Sequence, residues 1–323
     1  MTAELAIGVD LGGTKILGAL VDGSGALASQ DTVATDAAEG PDAVIDRIHA
    51  LVASQLAQAN SSRVGAIGVC SPGPVDTATG SVLQPPNLPG WIHVPLRQLV
   101  EERFGLPTFL EKDVNGAAFA ELRCGAAQEF DDVVYIAAGT GIGGALIVDG
   151  EIVRGTGFAG EIGHITLVAD GGPRCNCGAA GCLEALASGT GIARAAMEVA
   201  EAERHSRLGE LFAENGTISA ADVHAVAESG DGRSAEIIRA AGRHLGLGIA
   251  SLINLMSPQA VIIGGGLTAL GDRYVGAARS AAVASSYVQR LRPARIEVTP
   301  LPETAGAIGA GLIAIEALRR RAA

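Results

Sequence analysis

Two short apolar runs open the chain, residues 5–9 and 16–21, and Asp10-Leu-Gly-Gly-Thr-Lys15 separates them. Runs of that length bounded by glycine predict a strand, a glycine turn and a second strand. Pro41 then opens a segment in which Val44, Ile45, Ile48, Leu51, Val52 and Leu56 recur at helical spacing, which predicts an amphipathic helix laid on a sheet. Residues 64–69 predict a strand, the proline-crowded stretch 70–91 a long loop, and 109–111 a strand leading into a helix at Asp113. Farther on, 188–204, 219–228 and 231–256 predict helices, 260–263 and 296–299 strands, and 305–320 an apolar closing helix with a basic end. Strands alternating with helices point to an α/β fold.

The pattern repeats. Residues 7–23 superpose on 134–150 at a constant offset of 127, so that Leu20-Val-Asp-Gly23 falls on Ile147-Val-Asp-Gly150 and Gly12 on Gly139. Two similar domains are expected, each opening with a hairpin whose turn is mostly Gly and Thr. A length of 323 residues fits two domains.

Composition narrows the function classes. The formal net charge of −12 disfavours a sequence-independent grip on nucleic acid or anionic lipid. Residues 245–256 form the longest apolar stretch, and glycine, serine and asparagine break it well short of a membrane span. No leader is read at the N-terminus, and three of the five cysteines crowd between 175 and 182, unlike a secreted disulfide framework; a cytoplasmic protein is expected.

The glycine turns carry the first candidate chemistry. Gly12, Gly13 and Thr14 with Lys15, and Gly139, Thr140 and Gly141 in the second hairpin, let backbone N–H groups approach an anion closely. Neither turn is a P-loop or a dinucleotide fingerprint. Facing one another, they would hold a triphosphate, with Asp10 on its Mg²⁺. Asp113 reads either as a functional carboxylate or as a helix N-cap. Glu161, His164 and Glu184 are polar groups suited to sugar hydroxyls. Cys175, Cys177 and Cys182 with His164 offer three sulfurs and one imidazole, which favours a structural zinc site over free thiols. Cys70 and Cys124 read as small core residues.

Together these residues resemble the ROK family (repressors, open reading frames, kinases) of the actin, hexokinase and Hsp70 superfamily, nearest to its bacterial ATP-dependent glucokinases. The carriers are Asp10-Leu-Gly-Gly-Thr-Lys15, Ser71-Pro-Gly-Pro-Val-Asp76, Pro86-Asn-Leu-Pro-Gly-Trp91, Glu111-Lys-Asp-Val-Asn115, Gly139-Thr-Gly-Ile-Gly-Gly144, Gly160-Glu-Ile-Gly-His164, Cys175-Asn-Cys-Gly-Ala-Ala-Gly-Cys-Leu-Glu184 and Ile263-Gly-Gly-Gly266.

The resemblance implies a two-lobed actin-like α/β ATPase fold with a zinc knuckle at 164–182. Its small lobe would span 1–112 and be joined by a final helix at 303–323, and its large lobe would span 113–302. It implies Mg-ATP as donor, a hexose as acceptor, a structural zinc, and a homodimer or homotetramer. By position, Asp113 becomes the catalytic base. Gly73, Asn87, Lys112, Glu161, His164 and Glu184 become sugar-side residues, and Gly264, Gly265 and Gly266 join the two turns on the donor side. Lys112 stands where the family usually has asparagine, and an ammonium donates only, which opens the sugar preference. The family also contains sugar-responsive repressors. A first strand at residue 5 and the acidic balance speak for the kinase branch.

Overall fold

A computed structural model describes residues 5–59 and 64–322; residues 1–4, where no leader was read, lie outside the described residues. The chain forms two compact units, one of residues 1–131, 145–159 and 299–323, the other of 132–144 and 160–298.

In the first unit β1 (Leu5–Leu11) turns into β2 (Lys15–Asp22), followed by β3 (Leu27–Ala34) and α1 (Pro41–Gln58). Then come β4 (Val64–Ser71), β5 (Val75–Asp76), β6 (Ser81–Val82), α2 (Leu96–Phe104), β7 (Thr108–Lys112) and α3 (Asp113–Cys124). The sheet order is β3-β2-β1-β4-β7, with β1 parallel to β4 and β4 parallel to β7. The proline-crowded stretch is less irregular than the sequence suggested, because β5 and β6 pair as a small antiparallel ladder.

Side-chain alternation in β1 and β4 decides what covers each face. Ile7, Val9, Leu11, Ile67 and Val69 pack into the core that also contains Val44, Ile48 and Val52 of α1. The opposite face is small: Ala6, Gly8 and Asp10 on β1, and Ala66, Gly68 and Cys70 on β4. That face takes the closing helix α11 (Ala305–Ala322) at backbone contact. A Cβ on Gly8 would overlap the carbonyl oxygen of Ala307, and one on Gly68 that of Ala310.

The second sheet is built from β8 (Val133–Ala138) and β9 (Ile142–Val148), with β10 (Glu151–Ile152) continuing the ladder. Helices α4 (Leu183–Ala187), α5 (Gly189–Ala202), α6 (Arg207–Asn215), α7 (Ala220–Glu228) and α8 (Gly232–Met256) follow. The remaining elements are β11 (Ala260–Gly264), α9 (Val275–Ser285), α10 (Tyr287–Leu291) and β12 (Arg295–Val298). The order β10-β9-β8-β11-β12 repeats the plan of the first sheet, with the opening hairpin followed by two parallel neighbours.

The boundaries differ from the sequence division. Residues 113–131, 145–159 and 299–302 group with the first unit, whereas that division assigned them to the second. For α3 the reason is its fit on α11: a Cβ on Gly309 would overlap the carbonyl oxygen of Gly116, so the two helices cross at backbone contact. Among the described residues, no helix is long and apolar enough to cross a membrane.

Candidate active site

In the first unit the strand pattern carries Asp10 to the end of β1 on the small-residue face, against the start of α11; a Cβ on Gly306 would overlap its carboxylate. Burial pushes the Asp10 carboxyl up to about 7, the nearby Asp113 charge adds to the shift, and Lys15 opposes it. The turn that follows is closed by Gly12 N–H donating to the Lys15 carbonyl at 2.9 Å. Thr35 secures it, its hydroxyl donating to the Gly12 carbonyl at 2.7 Å and its N–H to the Thr14 carbonyl at 2.9 Å. Lys15 is exposed and forms an ion pair with Glu303. Asn87 lies over the same turn, since a Cβ on Gly13 would sit 3.1 Å from its Nδ2. Buried Leu88 and Trp91 anchor the loop that carries it.

Asp113 is the first residue inside α3. The helix N-cap is Lys112, so the capping alternative does not describe Asp113, whose Oδ1 accepts from Val114 N–H at 2.7 Å. Lys112 is buried at the end of β7 and its ammonium donates to the Ala159 carbonyl at 3.1 Å. Its stem passes Gly73, where an added Cβ would lie 3.6 Å from Lys112 Cδ. The residue that sequence reasoning left without a role is Glu111. Buried, it accepts from Lys112 N–H at 3.0 Å, Asn115 Nδ2 at 2.8 Å and Arg154 Nε at 2.7 Å. It therefore fixes the strand-to-helix corner on which Asp113 stands. The available signal was a carboxylate ending an apolar strand with an amide four residues later.

In the second unit the turn between β8 and β9 closes by Gly139 N–H donating to the Gly141 carbonyl at 2.9 Å. The start of α5 holds it: Gly189 N–H donates to the Gly139 carbonyl at 2.8 Å, and the Thr190 hydroxyl to the Thr140 carbonyl at 3.1 Å. Beside them opens a cavity of about 340 Å³, whose lining includes Gly139, Thr140, Thr190, Ser219, Gly266 and Leu267. Three expected donor-side residues, Gly139, Thr140 and Gly266, thus share one cavity. Gly264 and Gly265 do not line it. They serve close packing, as a Cβ on Gly264 would overlap the Tyr135 hydroxyl and one on Gly265 the Ala138 carbonyl. Gly141 instead makes room for Glu184, whose Oε2 accepts from Ile142 N–H at 2.9 Å. Glu161 and His164 are exposed, on either side of the buried pair Ile162 and Gly163.

The side chains of His164, Cys175, Cys177 and Cys182 converge, with ligand atoms all within 4.8 Å of one another. Cys177 and Cys182 place their sulfurs 3.8 Å apart, and Cys175 Sγ lies 3.7 Å from His164 Nδ1. Zinc–sulfur bonds of about 2.3 Å in a tetrahedron separate two sulfurs by about 3.8 Å, so the donor set fits that ion. Only glycine fits at 181, where φ is 72° and a Cβ would overlap the Val168 carbonyl. Cys70 is buried, as expected of a core residue, whereas Cys124 is only half-buried.

The ROK family pattern matches residues 6–317. The chain belongs to the ROK family. It is 33% identical, over 308 residues, to a glucokinase of Halalkalibacterium halodurans, with 94% of this chain and 93% of that protein covered. It is also 33% identical, over 313 residues, to an N-acetylmannosamine kinase of Escherichia coli O1:K1, with 95% and 97% covered. Among solved structures, a ROK family glucokinase from Streptomyces griseus in complex with glucose and AMPPNP superposes with a TM-score of 0.81 at 37% identity, with 97% of this chain and 99% of that one covered. The fold is that of this family's sugar kinases.

Proposed function

We propose that the chain is an ATP-dependent hexose kinase that moves the γ-phosphoryl of Mg-ATP to the 6-hydroxyl of glucose. The observation that carries the donor half is the cavity beside Gly139 and Thr140, whose walls are backbone and small side chains. The acceptor half is supported by the likeness, at 37% identity, to a kinase solved with glucose and a nucleotide analogue.

Asp113 receives the proton of the attacking hydroxyl, and Glu111 holds the corner that aims it. In the second unit Glu161, His164 and Glu184 are the sugar-side residues; in the first, the resemblance assigns that role to Gly73 and Asn87. In the second unit Gly139, Thr140 and Gly266 receive the nucleotide; in the first, the resemblance assigns its phosphates to Gly12, Gly13, Thr14 and Lys15. Phosphoryl transfer passes through a loose transition state, so positioning and charge neutralisation outweigh the base. Lys15 must then exchange Glu303 for phosphate, a small loss because exposed ion pairs contribute only about 0–1 kcal/mol. Asp10 suits the magnesium of the nucleotide: a buried carboxyl beside a second carboxylate is short of positive charge. Zinc would be held by Nδ1 of His164 and the three sulfurs, leaving Nε2 for the sugar. When bound it supplies rigidity and fixes the tautomer.

A second acceptor, an N-acetylhexosamine or mannose, is favoured by the N-acetylmannosamine kinase relative and by Lys112 in place of the usual asparagine. The homodimer or homotetramer is carried over from the resemblance, and light scattering of the purified chain decides it. ADP release measured with glucose, mannose, fructose, N-acetylglucosamine and N-acetylmannosamine, each with ATP or polyphosphate, tests the assignment. Glucose with ATP is expected to give the highest kcat/KM. A higher value for another pair reassigns the substrate, and no sugar-dependent ADP release at all overturns the kinase reading.

A further inference from the structure

A second cleft, of about 230 Å³, lies in the same unit between α5 and α8, with Leu186 of α4 in its wall. None of its lining residues belongs to the sugar, donor or zinc sets. Its body is apolar, formed by Ile192, Ala195, Val199, Ile237 and Ala240. Its polar lining is Arg194, Arg233, Glu236 and His244. Two buried nitrogens in this lining, Nε of Arg194 and Nδ1 of His244, have no hydrogen-bond partner. Buried donors are nearly always paired, so two orphans in one cleft mark the place of a missing acceptor.

The charges define that acceptor. Glu236 is already held by Arg239 at 3.0 Å and Arg243 at 2.7 Å. Arg194, in the cleft wall, uses its terminal nitrogens on Glu198 and on the Ala185 carbonyl at 3.4 Å, leaving Nε without a partner. Burial holds His244 below the usual imidazole range, so at neutral pH it is an uncharged ring able to donate from Nδ1. An apolar cavity of about 150 Å³ takes benzene. The larger space here suits a ring or branched chain bearing one carboxylate, about ten non-hydrogen atoms in all.

The position of the cleft gives the occupant an effect. Helix α5 is a shared wall: Thr190 and Ala193 line the donor cavity, while Ile192, Arg194 and Ala195 line this one. The first residues of the same helix hold Gly139 and Thr140 by the hydrogen bonds described above. We propose that this cleft is an effector site for a small apolar carboxylate, whose binding fixes α5 and strengthens nucleotide binding at the donor cavity. The coupling rests on reading that cavity as the nucleotide site, whereas the binding itself does not.

Phenylacetate is the probe, with its uncharged isostere phenylacetamide as control, titrated calorimetrically into the full chain without sugar. Phenylacetate is expected to bind once per chain, and the amide about tenfold weaker or worse. Ala195→Phe, which fills the cleft, and Arg194→Gln, which removes the charge, should each abolish that preference; circular dichroism shows that each variant is folded. The Kd of AMPPNP, measured directly, should fall about fivefold with phenylacetate present, and that of phenylacetate should fall by the same factor with AMPPNP present. No binding below about 10 mM, equal binding of the amide, or binding retained in both variants overturns the site. Binding with an unchanged AMPPNP Kd overturns the coupling. AMPPNP that does not bind at all overturns the nucleotide reading of the donor cavity and with it the coupling, while phenylacetate binding still decides the site.

Discussion

The backbone N–H of Ile142 donates to the Glu184 carboxylate at 2.9 Å, and the other oxygen of that carboxylate lies 3.8 Å from Cys175 Sγ. One side chain thus reaches from the second glycine turn to the cluster of Cys175, Cys177, Cys182 and His164. Glu184→Ala leaves the Ile142 donor unpaired at the turn, a loss of about 1–3 kcal/mol. Steady-state kinetics should show KM raised about tenfold for the sugar and also raised for ATP. Glu184→Gln, which keeps an acceptor, should raise the sugar KM alone. An unchanged ATP KM in Glu184→Ala would show that the tie does not position the turn.

Asp113→Asn removes the proton acceptor but keeps the shape of the helix start. A fall in kcat of about 10²–10⁴ with the sugar KM nearly constant is expected, read by coupled ADP release. A rate near wild type contradicts the role given to Asp113.

Metal analysis of the purified chain should return about one zinc per chain, as one four-ligand site requires. Cys182→Ser should lose that zinc and lower the thermal midpoint. It should raise the sugar KM through His164, while the AMPPNP Kd changes little. Zinc-free protein with full activity removes the metal from the account.

Gly8→Ala and Gly232→Ala form a matched pair. The first drives a methyl group into the Ala307 carbonyl, and the second meets nothing within 4 Å. Overpacking costs about 1–3 kcal/mol where side chains can give, and backbone on both sides gives less. Urea unfolding should show Gly8→Ala destabilised by about 3 kcal/mol or more, and Gly232→Ala level with or slightly above the parent.

Burial holds the Glu121 carboxyl above its usual value, against the Thr299 hydroxyl and Ala126 N–H that donate to it. The folded chain therefore keeps this proton more tightly than the unfolded one. The resulting stability is complete below about pH 4.5 and declines as pH rises through the folded pKa. Glu121→Gln, similar in shape and without a titrating proton, should flatten that part of the stability–pH curve. Parallel curves for both proteins count against the assignment.

Much of this was legible because it rests on short-range chemistry. The 127-residue offset foretold two hairpins, and β8 and β9 fall within a residue of the positions that β1 and β2 predict. The convergence of His164 with Cys175, Cys177 and Cys182 was readable from their spacing. Position along the chain could not tell Asp113 inside the helix from Asp113 capping it, because one residue of register separates the two. The packing role of Gly264 and Gly265 was not legible, since a glycine making room for Tyr135 or Ala138 looks the same in sequence as one making room for a phosphate. Edge strand β3 is half exposed and α9 is rich in alanine and serine, so neither carries the apolar period that reveals an element. Glu111 escaped because its partner Arg154 lies 43 residues away.

The contact of α11 with β1 and β4 sets an order on synthesis. The small-residue face of the first sheet is made early, yet its cover leaves the ribosome only after the whole second unit has been translated. Until residues 305–322 emerge, Ala6, Gly8 and Ala66 lack the helix that covers them, and the first unit waits on the second to be born complete.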